Sequence, residues 1–367
     1  MIRPNAPVWI PSRTQVFEEA VVKTEPNAGG FVTITTKSGE TRQILTYSGL
    51  FCISVNPYKT TNIYTNQIAE QHKGKRRTEM PPHIFSVAGE ALENLMQDRK
   101  NQSILCTGES GAGKTETTKK IIQYLTYMAG KKKSVEFSPE TGMNEVEQVL
   151  LNANPILEAF GNSRTKKNDN SSRFGKFTKI IFDDAGIIIG TIIEVFLMEN
   201  TRVVYQGEHE NNFHVFYQML KGFSEIKPNG LFIEERASSY KFLSNGECKI
   251  SSDDGAEFTT TLRAMKTIGL NDDEINGIFE IVSAVLLLGN IEFIEDNENT
   301  GQAGLANKEV VSKVAQLLGL DSTDFINAIL KPKIAVQSDV TFRTQNIDQA
   351  KFSVNAIAKT SYEKLFR

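Results

Sequence analysis

Ser103-Ile104-Leu105-Cys106-Thr107-Gly108-Glu109-Ser110-Gly111-Ala112-Gly113-Lys114-Thr115 is the stretch on which the fold turns. Its last eight residues fit G-x-x-x-x-G-K-[ST], a pattern that a chain of this length meets by chance roughly once in a hundred. The chemistry behind the pattern is local. Small residues let successive backbone N–H groups turn inward around phosphate oxygens, Lys114 brings a point charge to the outer phosphates, and Thr115 offers a hydroxyl to Mg2+. Upstream, Ser103 to Cys106 is a short apolar run of the kind expected for a buried parallel strand leading into the glycines. Downstream, Ile121, Ile122, Leu125 and Met128 recur at helical spacing, and no Pro or Gly interrupts Lys114 to Ala129. The helix N-terminus then points at the bound phosphates.

Working outward, the pattern is α/β. Val8 to Ile44 reads as short strands broken by turns, among them Val21-Val22 and Phe31 to Thr35, and suits a small β-barrel. Tyr47 to Val55 is one β-rich run, ended at Asn56-Pro57-Tyr58 where Pro57 removes a donor. Ser86 to Asp98 is helical, and Gly130 to Met143 is a Lys-, Ser- and Gly-rich surface loop. Helix resumes at Glu145, and Asn154-Pro155 should kink or divide it. Phe177 to Phe182 and Ile187 to Phe196 are joined by Asp183-Asp184-Ala185-Gly186, a hairpin signal. Thr259 to Ile268, Asp273 to Leu288, Lys308 to Leu318 and Ala350 to Phe366 are amphipathic helices, with a polar loop at Asp296 to Gly304.

Composition bounds the function. The 367 residues, 40% of them hydrophobic, suffice for a large core, and a net charge of −3 argues against a surface devoted to nucleic acid or anionic membrane. The basic clusters Lys73-Lys75-Arg76-Arg77 and Lys131 to Lys133 read as solvated surface. Cys52, Cys106 and Cys248 lack C-x-x-C spacing and read as reduced thiols of a cytosolic protein. No run is a signal peptide or a membrane span. His72, His83, His209 and His214 have no metal-ligand spacing, so the expected metal is Mg2+ carried in with nucleotide.

Two segments compete for the second group that phosphoryl transfer needs. Asp183 ends an apolar run, as a metal-binding Asp would, but Asp also favours tight turns. Asn168-Asp169-Asn170-Ser171-Ser172-Arg173-Phe174-Gly175-Lys176 is dense in donors and suits either a surface loop or a loop closing over phosphates and Mg2+, with Ser hydroxyls as ligands and Arg as an ionic latch.

That loop together with Gly108 to Glu116 resembles the P-loop and switch I of the myosin motor head. So do Thr46-Tyr47-Ser48-Gly49-Leu50-Phe51, Val55-Asn56-Pro57-Tyr58, Glu79-Met80-Pro81-Pro82-His83-Ile84-Phe85, Asn152-Ala153-Asn154-Pro155-Ile156-Leu157-Glu158-Ala159-Phe160-Gly161-Asn162 and Phe213-His214-Val215-Phe216-Tyr217-Gln218. The resemblance covers nearly the whole chain and is closest to conventional (class II, muscle-like) myosin.

It implies an SH3-like barrel over residues 1–44 and the N-terminal part of a motor domain over 45–367, with a P-loop NTPase core whose mixed, mostly parallel sheet is flanked by helices. It also implies ATP and Mg2+ as ligands. Asn56, Pro57, Tyr58 and Tyr64 would lie beside the adenine with Glu116 nearby. Gly108, Glu109, Ser110, Gly111, Ala112, Gly113 and Lys114 would hold the phosphates. Thr115 and Ser172 would coordinate Mg2+, Asn168 would contact phosphate, Ser171 would place the attacking water, and Arg173 would be the latch. Asp183 loses its metal role. Val336 to Asn346 matches the position of an actin-facing loop. Implied partners are actin filaments and, in a full-length relative, light chains and a second heavy chain, with a cytoskeletal location and neither nucleic acid nor membrane.

Departures from the family carry expectations too. Its switch II, Asp-Ile-x-Gly-Phe-Glu, would follow the helix ending at Phe366, where the sequence stops at Arg367. A site without it is expected to bind Mg-nucleotide and hydrolyse it slowly, so the alternative reading is a non-motile nucleotide-binding or actin-interacting fragment. The segment between barrel and Tyr47 is short near Ile44-Leu45, and Thr60 replaces a residue often basic in relatives. A small-molecule kinase or GTPase is disfavoured, since Asn307-Lys308-Glu309-Val310 does not complete N-K-x-D.

Overall fold

Short strands alternate with turn residues over the first fifty positions, and the observed ladder follows that alternation. The computed structural model describes residues 7–11, 17–22, 33–36, 41–43, 45–57, 61–130, 145–226, 230–234, 236–244, 251, 253–296, 300–336 and 339–367. Strands β1 (Pro7–Pro11), β2 (Phe17–Val22), β3 (Thr33–Thr36) and β4 (Thr41–Gln43) form an antiparallel meander in the order β1-β2-β3-β4. The run expected from Tyr47 to Val55 is instead a hairpin. Strand β5 (Leu45–Ser48) pairs with β6 (Phe51–Ser54), because Gly49 takes φ 58° and folds the chain back on itself.

The chain forms two compact units, Met1–Leu151 with Lys179–Ile192, and Asn152–Thr178 with Ile193–Arg367. In the first, helices α1 (Asn66–His72), α2 (Ile84–Asp98) and α3 (Lys114–Gly130) surround a core of Leu45, Ile63, Ala69, Phe85, Ala88, Ile121, Tyr124, Leu125 and Met128. The periodic residues of α3 are thus the ones it buries. The Phe85 and Tyr124 rings stack at 4.7 Å, and Gly89 gives the Tyr124 hydroxyl room.

The start of α2 depends on a buried histidine. His83 Nδ1 accepts the Phe85 N–H at 3.0 Å, so its proton sits on Nε2, which donates to the Ile63 carbonyl at 3.0 Å. The ring is therefore neutral. Burial, then the neighbouring His72, push its pKa down to about 3, the Ile63 bond offsetting a little. A folded pKa below the unfolded value of 6.5 means that stability is complete above pH 6.5 and is lost as pH falls toward 3. We predict a loss of about 2 kcal/mol between pH 7 and pH 5 from this group alone. Hydrogen exchange of α2 amides should show it, and His83→Asn, which keeps an acceptor that does not titrate here, should shrink it. An unchanged pH dependence in that variant would contradict the assignment.

Helix α4 (Glu145–Gly161) runs through Pro155 without dividing, one of the two outcomes expected at Asn154-Pro155. Proline removes one backbone bond, but the flanking faces are held by packing: Leu150, Ala159 and Phe160 are buried. It leads into β7 (Asn162–Ser163), which pairs with β8 (Ser171–Ser172). Strands β9 (Gly175–Phe182) and β10 (Ile188–Phe196) make the expected hairpin, closed by Asp183 N–H to Ile187 O at 2.9 Å and Gly186 N–H to Asp183 O at 3.0 Å. Asp183 Oδ1 caps the turn, accepting from Ala185 and Ile187 N–H, as a turn aspartate does.

The second unit is mainly helical: α5 (His214–Ile226), α6 (Asp254–Thr267), α7 (Asp272–Gly289), the hairpin β11 (Phe293–Glu295) and β12 (Ala303–Leu305), α8 (Lys308–Leu317), α9 (Ser322–Leu330), the hairpin β13 (Lys333–Val336) and β14 (Asp339–Phe342), and α10 (Ile347–Phe366). Asn271 with Glu274 and Asn346 with Gln349 form capping boxes that fix the starts of α7 and α10. Ala350, Val354, Ala358 and Tyr362, each four residues apart, put one face of α10 into a core shared with Phe216 and Met219 of α5 and Phe279, Val282 and Leu286 of α7. Helix α5 was not anticipated, its buried face being Val215, Phe216, Met219, Leu220 and Phe223.

Two further expectations meet the structure differently. Ser103 to Cys106 is not a strand: it has no ladder partner, and Leu105 is 87% exposed. The mostly parallel sheet does not form among the described residues, where every register is antiparallel. A parallel strand needs partners on its sides to satisfy its backbone, and none pairs here. Of the loop expected at Gly130 to Met143, Gly130 is the last residue of α3, and residues 131–143, like Cys248, lie outside the described residues. Cys52 and Cys106 are free thiols. No helix among the described residues is long and apolar enough to cross a membrane.

Candidate functional site

Glycine chemistry shapes the loop in the first unit. Gly108, Gly111 and Gly113 take φ of 153°, 81° and 92°, angles that side-chain-bearing residues rarely adopt. The turn is closed by Ala112 N–H to Glu109 O at 3.1 Å, and α3 begins at Lys114 with Thr117 N–H on Gly113 O at 2.8 Å. The Lys114 ammonium bends back over the loop, donating to Gly108 O and Glu109 O at 2.7 Å each. Both of these partners are neutral carbonyls. Asn56 Nδ2 donates to Gly111 O at 2.7 Å, tying the segment after β6 to the loop. A polyphosphate fits this geometry: backbone donors at the head of a 17-residue helix, a cation over the turn, and the Thr115 hydroxyl in the first helical turn. When bound, Mg2+ neutralises phosphate charge.

Other residues expected near the base lie in the same unit. Tyr64 closes a short 3-10 turn, its ring 5.6 Å from that of His83 and 6.0 Å from that of Phe85, with Lys120 Nζ of α3 6.0 Å from its centroid. Burial pushes its phenol up, partly offset by a hydrogen bond with Ser54. Pro57 is half-buried, and Tyr58 lies outside the described residues. Glu116 pairs with Lys119 at 3.0 Å on the exposed side of α3.

Asn168, Ser171, Ser172 and Arg173 lie in the second unit, on the loop between β7 and β8 and just after it. The loop is clasped internally. Asn168 O accepts from the Thr165 and Ser171 hydroxyls at 3.1 and 3.2 Å, Asn168 Oδ1 accepts the Asn170 N–H at 3.1 Å, and Arg164 meets Asp169 at 2.9 Å. Ser171 is buried and its Oγ lies 3.0 Å from that of Thr165, whereas Ser172 is exposed. Asn170 joins the loop to its surroundings: its Oδ1 lies 2.8 Å from Asn162 Nδ2 and 3.1 Å from His214 Nε2, and its Nδ2 donates to Glu158 at 3.2 Å. Burial pushes His214 down to about 4, against the pull of Glu158 and Asp169.

Arg173 donates from Nε to Glu199 Oε2 at 2.7 Å, and the same oxygen accepts from Arg202 Nε at 2.8 Å. Arg202 is 4% exposed and completes its bonding on Glu210 at 2.8 Å and Asn211 O at 2.9 Å. Burial by itself would raise the Glu199 carboxyl, but the hydrogen bonds and charges of Arg173 and Arg202 outweigh it and hold the pKa below the ordinary value. Burial likewise disfavours the charge of Arg202, and Glu199 and Glu210 reverse that. Sequence reasoning missed this chain of charges. Its one local sign is the i, i+3 spacing of Glu199 and Arg202, which is common on surfaces as well. Among the described residues no cluster of three or more His, Cys, Asp or Glu could hold a metal ion.

A glycine loop on positive φ angles, opening a helix at its lysine in a chain of mixed helices and strands, defines the P-loop NTPase class. The profile of the myosin head (motor domain) family matches residues 32–367. Over 368 aligned residues the chain is 44% identical to the non-muscle myosin heavy chain of Drosophila melanogaster, an alignment that takes in 88% of this chain and 18% of that protein. The chain belongs to the myosin head family.

Proposed function

We propose that this chain is the ATP-binding part of an actin-based motor that couples Mg-ATP hydrolysis to movement on actin filaments. The observation that carries the reading is the Gly108 to Thr115 loop with Lys114 poised over it, in a chain of this family. Gly108, Glu109, Ser110, Gly111, Ala112, Gly113 and Lys114 hold the phosphates, with Asn168 touching them. Asn56, Pro57, Tyr58 and Tyr64 flank the adenine, with Glu116 nearby. Thr115 and Ser172 supply hydroxyls to Mg2+. Ser171 orients the attacking water, and Arg173 is the ionic latch of its loop. The meander β1 to β4 supports reading residues 1–44 as an SH3-like barrel ahead of a motor-domain part at 45–367. Actin filaments are the partner, met in part through the segment Val336 to Asn346. In a full-length relative, light chains and a second heavy chain complete the assembly, at the cytoskeleton.

The test is phosphate release from limiting Mg-ATP with and without filamentous actin. The reading expects release that rises with actin, and absence of ATP binding would overturn it. Arg173→Ala is expected to slow the hydrolysis step about a hundredfold in single turnovers, the scale of one lost electrostatic contact to the reacting phosphate. Its Mg-ATP affinity should stay within tenfold of the parent. Equal hydrolysis rates would remove Arg173 from the site.

A further inference from the structure

Arg173 is gripped from two sides. Its N–H donates to Gly161 O at 2.9 Å, its carbonyl accepts the Glu199 N–H at 2.9 Å, and its Nε donates to Glu199 Oε2 at 2.7 Å. Residue 199 therefore holds both the backbone and the side chain of residue 173. A Cβ built on Gly161 would strike the Phe174 and Phe366 rings, so the backbone bond on the other side runs through a packed contact with no slack.

The charges are arranged asymmetrically. Arg202 is buried, and Nε, Nη1 and Nη2 all have acceptors. It is a fixed post. Glu199 is pinned to that post through the same oxygen that receives Arg173, whose side chain is 28% exposed. Among the described residues Nε is the nitrogen of Arg173 that is engaged, which leaves the far edge of its planar fork open. Two guanidinium groups sharing one oxygen would repel if that oxygen lost its charge.

We infer that Glu199 is a positioning residue for Arg173: anchored by Arg202, its carboxylate fixes the ε edge of the Arg173 guanidinium and presents the terminal edge for the latch contact. The inference rests on the role given to Arg173 above. Glu199 itself need not touch nucleotide.

The test pairs a spectroscopic signature with kinetics on the full chain. Side-chain Nε–H signals of Arg173 and Arg202 are recorded by NMR in the parent and in Glu199→Gln, which keeps the shape and removes the charge. The Arg173 Nε–H should be protected in the parent, both signals should shift in the variant, and Arg173 Nε–H exchange should rise at least tenfold. In single turnovers Glu199→Gln should slow hydrolysis at least tenfold, and the double variant with Arg173→Ala should match Arg173→Ala within twofold. If Arg173→Ala is slow while Glu199→Gln matches the parent in both readouts, the inference is wrong and the latch reading stands. If Arg173→Ala or the parent fails the functional reading, the NMR arm alone decides the positioning. Should Glu199→Gln not fold, an Arg173 Nε–H in the parent that exchanges as fast as an exposed arginine's overturns the inference.

Discussion

Lys114→Ala is expected to weaken Mg-ATP binding about a hundredfold. The ammonium hangs over the loop on the Gly108 and Glu109 carbonyls, so moving it onto a phosphate exchanges two bonds to neutral acceptors for bonds to an anion. Losing that gain costs about 3 kcal/mol, which is roughly two decades in Kd. Water can replace the ammonium at the two carbonyls, so the thermal midpoint should hardly move. Titration of the parent and the variant with a fluorescent ATP analogue measures the ratio. Affinities within threefold of each other would mean that phosphate is not seated at this loop.

The largest stability effect is expected at Tyr362. Its ring is fully buried, stacked against Phe213 at 5.1 Å and Phe216 at 5.2 Å, and its hydroxyl donates to Phe160 O at 2.8 Å. That carbonyl belongs to the last turn of α4, where helix geometry leaves acceptors without partners. Tyr362 thus fills the core and caps the helix that delivers the β7–β8 loop. Burial pushes its pKa well above the ordinary tyrosine value, so the hydroxyl keeps its proton as donor. Tyr362→Ala should cost about 4 kcal/mol, the range for deleting a buried aromatic ring. Tyr362→Phe keeps the ring and should cost about 1 to 2 kcal/mol through the stranded carbonyl. Denaturant unfolding followed at the second unit would distinguish the two, and a Tyr362→Ala loss below 1 kcal/mol would refute the packing account.

What could be read in advance follows from what is local. The phosphate loop and α3 were legible because glycine spacing, the lysine and a helical apolar stripe act over twenty neighbouring residues. The β9–β10 hairpin was legible because Asp183 and Gly186 favour the turn that joins it. The strand expected at Ser103 to Cys106 failed for the opposite reason: a parallel strand exists only when other segments pair with it, and an apolar run does not say whether they do. The β5–β6 hairpin escaped because Ser48-Gly49 is a weaker turn signal than the flanking β-formers. Pro155 does not divide α4, since packing of the helix outweighs one lost backbone bond. Residues of the phosphate loop, in the first unit, and of the Asn168 to Lys176 loop, in the second, were each named from sequence. Glu199 and Arg202 were not, because their meaning lies in a contact twenty-six residues away from Arg173.

The most direct test of the central claim is diffraction from crystals of this chain grown with Mg2+ and a non-hydrolysable ATP analogue. The account predicts triphosphate density inside the Gly108 to Thr115 loop, with Lys114 Nζ and the first N–H groups of α3 in contact with its oxygens. Nucleotide bound elsewhere, or an empty loop at saturating analogue, would contradict it.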